Sequence, residues 1–173
     1  MDSHFDQVMK ARSEVSGGTR FYFGYSTVLD RAAFEEWRGQ HGYQFFELPA
    51  GAVGEAMDVE LVYDFPSRWW GGRVAGLADK QGASVFGRLF EIPAKDWPII
   101  QHKEGAVTGM CVERAVRVRV DKSIVEATAF TTRPERATSE GPVSDRFLEA
   151  LERGAKSAGL PQQYVAQLRQ SAR

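Results

Sequence analysis

Alternation of apolar and polar positions governs the middle of the chain, and helical spacing governs its end. From Val112 to Val120 every second residue falls on one face (Val112, Arg114, Val116, Val118, Val120), with Glu113, Ala115, Arg117 and Arg119 on the other. That is the period of a half-buried strand. Arg114 interrupts the apolar face, so the strand is expected to twist there or to lie at an edge. Asp121-Lys122 turns into a second strand, Ile124 to Thr131. Upstream, Arg20 to Tyr25 is aromatic and β-prone, and Ala56 to Phe65 carries Val59, Leu61 and Tyr63 before Pro66 stops it. Arg73 to Ala78 and Ser84 to Ile92 read as two strands joined at Asp79-Lys80-Gln81-Gly82, a hairpin-type turn. Tyr43 to Leu48 reads as one further, aromatic-rich strand.

Helices are marked by their ends. Asp30 is a good N-cap for Arg31 to Arg38, in which Phe34 and Trp37 lie three apart and face inward together. Pro93 opens a helix ending near His102. Ser144 caps Arg146 to Ala158, with Phe147, Leu148 and Leu151 inward, and Gly159 suits the position just past its end. Pro161 begins a last helix with Tyr164, Val165 and Leu168. Residues 1–18 read as an extension. Ser3 and Asp6 have capping-box-like spacing, Phe5, Val8, Met9 and Val15 lie roughly on one helical face, and Gly17-Gly18 ends the segment. A docked helix and a frayed tail both fit this pattern. Residues 19–173 form a single domain on this reading. Strands in hairpin succession, with helices inserted and appended, indicate α+β architecture with a mostly antiparallel sheet, curved or closed.

Length and charge narrow the function. The 173 residues suit one domain with its own core. With 22 Lys and Arg against 23 Asp and Glu, the chain has no bulk electrostatic case for nucleic acid or an anionic membrane. The start lacks the basic and apolar regions of a signal peptide, and no stretch approaches the roughly 18 apolar residues of a membrane helix. A cytoplasmic protein is expected. Cys111 is the single cysteine, which excludes an internal disulfide and CxxC sites and favours a buried apolar thiol. His4, His41 and His102 lack metal-ligand spacing. His41 reads as part of an exposed turn. His102 reads as a solvated helix end, or as a neighbour that tunes Glu104. The glycine-rich pieces fit neither a dinucleotide fingerprint nor a P-loop. Neither a metal nor a cofactor is expected.

Three segments carry candidate chemistry. Glu104, in Lys103-Glu104-Gly105, stands between a helix and a strand, where a half-buried carboxylate can shuttle protons. Tyr22 to Leu29 is a strand entering a tight turn before a helix. Its amides either point outward to hold a carboxylate or form a plain connection. Trp70-Gly71-Gly72 is either a substrate lip or a packing junction, and Trp69 and Trp70 look exposed.

Together these pieces resemble the γ-glutamylcyclotransferase (AIG2-like) family. Tyr22-Phe23-Gly24-Tyr25-Ser26-Thr27-Val28-Leu29 looks like its Tyr-Phe-Ala-Tyr-Gly-Ser-Asn-Leu loop. Trp70-Gly71-Gly72-Arg73-Val74-Ala75 and Val85-Phe86-Gly87 look like its Trp-x-Gly-Gly-x-Ala and Val-Trp-Gly strands. Glu104-Gly105-Ala106-Val107-Thr108-Gly109-Met110 looks like its Glu-Gly segment, and Gly154-Ala155-Lys156 with Gly159-Leu160-Pro161 and Tyr164 looks like its C-terminal helix pair. The resemblance spans roughly residues 20–168. It implies a small β-barrel with peripheral helices and an enzyme that releases 5-oxoproline and a free amine from a γ-glutamyl amine or amide. It places Glu104 as general acid/base and Tyr25, Ser26, Thr27, Val28 and Leu29 around the glutamyl end of a small-molecule substrate. A homodimer is left open.

The chain also departs from the family pattern. Ser26 replaces a Gly and Val28 an Asn. Gln101 stands where a Leu-Asp pair supplies an acid, Cys111 where a Tyr often follows, and Phe130 where a Tyr often sits late in the barrel. Each change removes polarity or reshapes the pocket. Two alternatives to degradation of small γ-glutamyl amines therefore remain: a non-catalytic ligand-binding or interaction module on the same fold, and removal of a γ-glutamyl group from a large metabolite at a Trp69/Trp70 lip.

Overall fold

The computed structural model describes residues 3–172 and, at the first of these, no side chain, so the cap expected from Ser3 lies outside what is described. In chain order the elements are α1 (Ser3–Ser13), β1 (Thr19–Gly24), α2 (Arg31–His41), β2 (Ala52–Ser67), β3 (Gly72–Pro93), α3 (Trp97–Lys103), β4 (Cys111–Val120), β5 (Ser123–Thr132), α4 (Asp145–Ser157) and α5 (Gln162–Gln167). The strands are hydrogen-bonded in the order β1-β3-β2-β4-β5, and the sheet closes on itself through a β1–β5 pairing. That last pair is parallel and the other four are antiparallel, so the sheet is mixed. The fold is α+β, with the helices packed around the sheet.

Three strand expectations are corrected. Asp79-Lys80-Gln81-Gly82 does not reverse the chain; β3 runs straight through it. Both halves of β3 pair antiparallel with the same long partner, β2, from Ala52↔Leu89 to Ser67↔Gly72. The register shift falls at those residues: β2 advances only from Met57 to Val59 while β3 advances from Asp79 to Ser84. β3 thus bulges opposite Asp58 of β2, whose carboxylate accepts the Gly82 amide at 3.0 Å. Turn-forming residues were thus used to bend a ladder. Pro66 likewise does not end β2, which continues one residue to the hairpin tip at 68–71. The third correction is Tyr43 to Leu48, which is loop. Its aromatics pack around α2: Tyr43 and Phe46 are buried, and Arg38 bonds the Phe46 carbonyl.

The alternation read in Val112–Val120 holds. Val116 and Val118 are buried, while Arg117 and Arg119 face solvent. Arg114 stays on the inward face by pairing with Asp79. The barrel interior is aromatic, with the Tyr22 ring 5.8 Å from Phe90, 6.1 Å from Phe130 and 6.2 Å from Trp97. The extension is a docked helix. Val8 is buried, the Phe5 and Tyr43 rings lie 5.4 Å apart, and Arg12 pairs with Asp96 at 2.9 Å.

The connection from β1 into α2 is held from two sides. Asp30, 3% exposed, accepts the Ala33 amide at 3.1 Å as the expected N-cap. Arg153 of α4 grips the same carboxylate with two hydrogen bonds, 2.9 and 2.7 Å. Helix α4 can sit this close because Gly154 faces the backbone of Leu29 and Asp30. No helix among the described residues is long and apolar enough to cross a membrane.

Candidate active site

Glu104 owes its position to the way α3 ends. The helix has only seven residues and closes with Glu104 as C-cap, its amide bonded to the Ile100 carbonyl at 2.9 Å. The next residue must take a left-handed conformation, and Gly105 does so at φ 84°. The Ala106 amide then returns to the Gln101 carbonyl at 2.9 Å. The Glu-Gly pair is therefore a helix stop that leaves the carboxylate at the junction between α3 and the barrel.

There the carboxylate is partly buried and accepts a hydrogen bond from the Tyr22 hydroxyl at Oε1. Its Oε2 has no hydrogen-bond partner among the described residues. Tyr22 is 1% exposed, and burial pushes its phenol well above the ordinary range, with the Glu104 charge adding to the effect. Tyr22 is thus a fixed neutral donor that orients the acid. The neighbouring Tyr25 phenol is also held well up, by burial first, and donates to the Phe130 carbonyl at 2.5 Å.

Glu104 opens onto a cavity of about 260 Å³. Tyr25, Ser26 and Thr27 line its wall, so the structure brings these three expected residues to the acid. Val28 and Leu29 it does not. Both are buried, and they line a separate cavity of about 410 Å³ on the other side of the connection, beside Arg31, Arg38 and Arg88. The cause is the 3-10 turn Thr27–Leu29, in which Leu29 and Asp30 donate back to the Ser26 and Thr27 carbonyls at 3.1 and 3.0 Å. The turn uses those amides internally and rotates the next side chains away from the acid. The amides of Ser26, Thr27 and Val28, at the start of the turn, have no acceptor among the described residues.

The opposite wall holds residues that the sequence reading passed over. His41 is not in an exposed turn. It ends α2 and stacks on Trp37 at 4.8 Å, and its Nδ1 lies 2.8 Å from the Trp37 carbonyl. His102 is not a solvated helix end. It is 6% exposed, shares a 2.7 Å hydrogen bond with Tyr43, and lies 5.2 Å from the His41 ring. The i, i+4 spacing of Trp37 and His41 was the available signal, since it puts both on one face of α2. Trp69 lies at the rim, its ring 6.0 Å from His41, while Trp70 packs on Phe147 at 5.7 Å. Both indoles of the expected lip line the cavity, Trp69 exposed and Trp70 partly buried against Phe147. Among the described residues, no group of three or more His, Cys, Asp or Glu side chains could hold a metal ion.

Cys111 lines the same cavity and is 6% exposed, as its apolar reading implied. Burial, helped by the Glu104 charge, pushes its thiol far above the ordinary range. Iodoacetamide at pH 8 is expected to leave the folded protein unmodified and to label it stoichiometrically in denaturant, as read by intact mass.

Residues 84–168 match the model of the AIG2-like family. Over that stretch, just under half of its length, the chain is similar to the AIG2-like family. The matched region includes Glu104 and runs from the second half of β3 to α5; the 25–29 connection lies outside it. Among solved structures, one named gamma-glutamyl cyclotransferase is similar with TM-score 0.72 at 21% identity, over 88% of this chain and 87% of that one. An uncharacterized protein from Homo sapiens is similar with TM-score 0.70 at 22% identity, over 87% and 86%. YkqA from Bacillus subtilis is similar with TM-score 0.74 at 17% identity, over 96% of this chain and 57% of its own. These likenesses establish a shared fold. No curated protein matches the chain.

Proposed function

We propose that this protein is a cyclotransferase that converts a γ-glutamyl amine or amide into 5-oxoproline and the free amine. The observation that carries the reading is the partly buried Glu104 carboxylate, oriented by Tyr22 and open at Oε2 to a cavity walled by Tyr25, Ser26 and Thr27. At neutral pH the substrate α-amine is an ammonium and cannot attack. Glu104 takes one proton from it. The neutral nitrogen attacks the γ-carbonyl carbon of the same molecule and closes a five-membered ring. The C–N bond to the departing amine breaks, and protonated Glu104 returns the proton to that nitrogen. Nucleophile and electrophile share one tether, so holding the folded conformer supplies much of the acceleration; effective molarities reach about 10⁵ M or more in favourable cases. The acceptor-free amides of Ser26, Thr27 and Val28 suit the oxyanion that develops on the γ-carbonyl.

The test is incubation with a panel of γ-glutamyl amines, γ-glutamyl amino acids and larger γ-glutamyl conjugates, with 5-oxoproline followed by mass spectrometry. No turnover across the panel would favour the binding-module reading, for which the turning away of Val28 and Leu29 is the supporting observation. Tyr22→Phe removes one charge-assisted hydrogen bond to Glu104 and nothing else from the cavity wall. Steady-state kinetics are expected to show kcat about tenfold lower with KM little changed.

A further inference from the structure

Lys103 precedes Glu104 and lines the same cavity. A lysine in the last turn of a helix ordinarily extends into solvent to offset the helix dipole. This one is partly buried. Its ammonium lies 5.9 Å from the centre of the Trp37 ring, on the aromatic wall of the cavity. Among the described residues it makes no hydrogen bond, and no ion pair within 4.0 Å, even with the adjacent Glu104. Burial lowers its proton affinity, and the Glu104 charge opposes that. The cavity thus holds an anion and a cation on consecutive residues, the anion bonded to Tyr22 and the cation facing the Trp37 ring with no hydrogen bond or ion pair among the described residues.

An α-amino acid head group carries the complementary pair, an ammonium and a carboxylate on one carbon. We propose that Lys103 is the specificity-determining residue that binds the α-carboxylate of the substrate's glutamyl end. This rests on the cyclotransferase reading and deepens it. With the carboxylate on Lys103 and the ammonium at Glu104 Oε2, the loop amides are left for the γ-carbonyl oxygen. It also accounts for Val28: with a cation across the cavity, the 25–29 connection does not need a polar side chain at that position to hold the carboxylate.

Two lactams differing only in the carboxylate, 5-oxoproline and 2-pyrrolidinone, probe the site directly. Their affinities are measured by NMR titration of the wild-type protein, Lys103→Met and Lys103→Arg, with thermal unfolding as the folding control and Lys103→Gln in place of Lys103→Met if the latter does not fold. The wild-type protein is expected to favour 5-oxoproline by on the order of 10- to 100-fold, the range of a charge-assisted hydrogen bond. The preference should vanish in Lys103→Met and return at least in part in Lys103→Arg. Equal affinities in the wild-type protein, a preference that survives Lys103→Met, or no binding of either lactam at tens of millimolar overturns the assignment. Turnover is scored separately. A Lys103-dependent preference without 5-oxoproline formation refutes cyclotransfer and leaves the carboxylate site standing. Turnover with a preference indifferent to Lys103 does the reverse.

Discussion

Glu104→Gln should lower 5-oxoproline formation by about 10²- to 10⁴-fold at neutral pH, the range contributed by a positioned general acid/base. The substitution tests the chemistry and not the fold. Glutamine keeps the size of the side chain, and its carbonyl oxygen can still accept the Tyr22 hydroxyl that Glu104 accepts at Oε1. What it loses is the ability to take the ammonium proton and return it. The α-amine then stays charged and cannot attack, so kcat should fall while affinity for the product lactam changes little. The measurement is 5-oxoproline by mass spectrometry on the best substrate of the panel, with the thermal midpoint as control. A midpoint near that of the wild-type protein combined with undiminished turnover would remove Glu104 from the mechanism.

The contrast between Glu104 and Val28 shows how far the sequence could be read. Glu104 was expected between a helix and a strand and stands there, at the end of α3, where Gly105 takes the left-handed conformation that stops the helix. The alternating strands were legible because a period of two is set within one strand. Where placement depends on pairing over a distance, the reading failed. Asp79 to Gly82 carries turn residues, but its course is decided by β2, some twenty residues earlier, which binds both halves of β3. Val28 and Leu29 come directly after Ser26 and Thr27. A single 3-10 turn sends the first pair to one cavity and the second to another. No propensity distinguishes that turn from an extended loop with every side chain facing the ligand. The aromatic wall escaped notice because its members, Trp37, His41 and His102, come from two helices far apart in sequence that meet only in the folded state.

The same connection offers the second large effect, on stability and activity together. It is held between two glycines. A methyl group on Gly87 would meet the Gly24 carbonyl oxygen well inside contact distance and the Phe23 ring at 2.8 Å; on Gly154 it would meet the Asp30 nitrogen at 2.6 Å and the Leu29 carbonyl carbon at 2.8 Å. Backbone atoms cannot rotate away as a side chain can. Either β1 or α4 must shift, and the 25–30 segment between them shifts with it. Gly87→Ala and Gly154→Ala are each expected to cost about 1–3 kcal/mol, the usual range for overpacking, and to lower the midpoint by several degrees. If the connection positions substrate, turnover should fall by up to about 10²-fold at a temperature where both variants remain folded, because a displacement near 1 Å spoils an oriented attack. Gly39→Ala supplies the opposite sign. Gly39 lies on the exposed face of α2 with nothing within 4 Å of an added methyl, so alanine there should stabilise the helix by about 0.8–1 kcal/mol and leave turnover unchanged. Equal, small effects from all three substitutions would show that the contacts at Gly87 and Gly154 are slack, and that the connection is not held in place by the elements on either side of it.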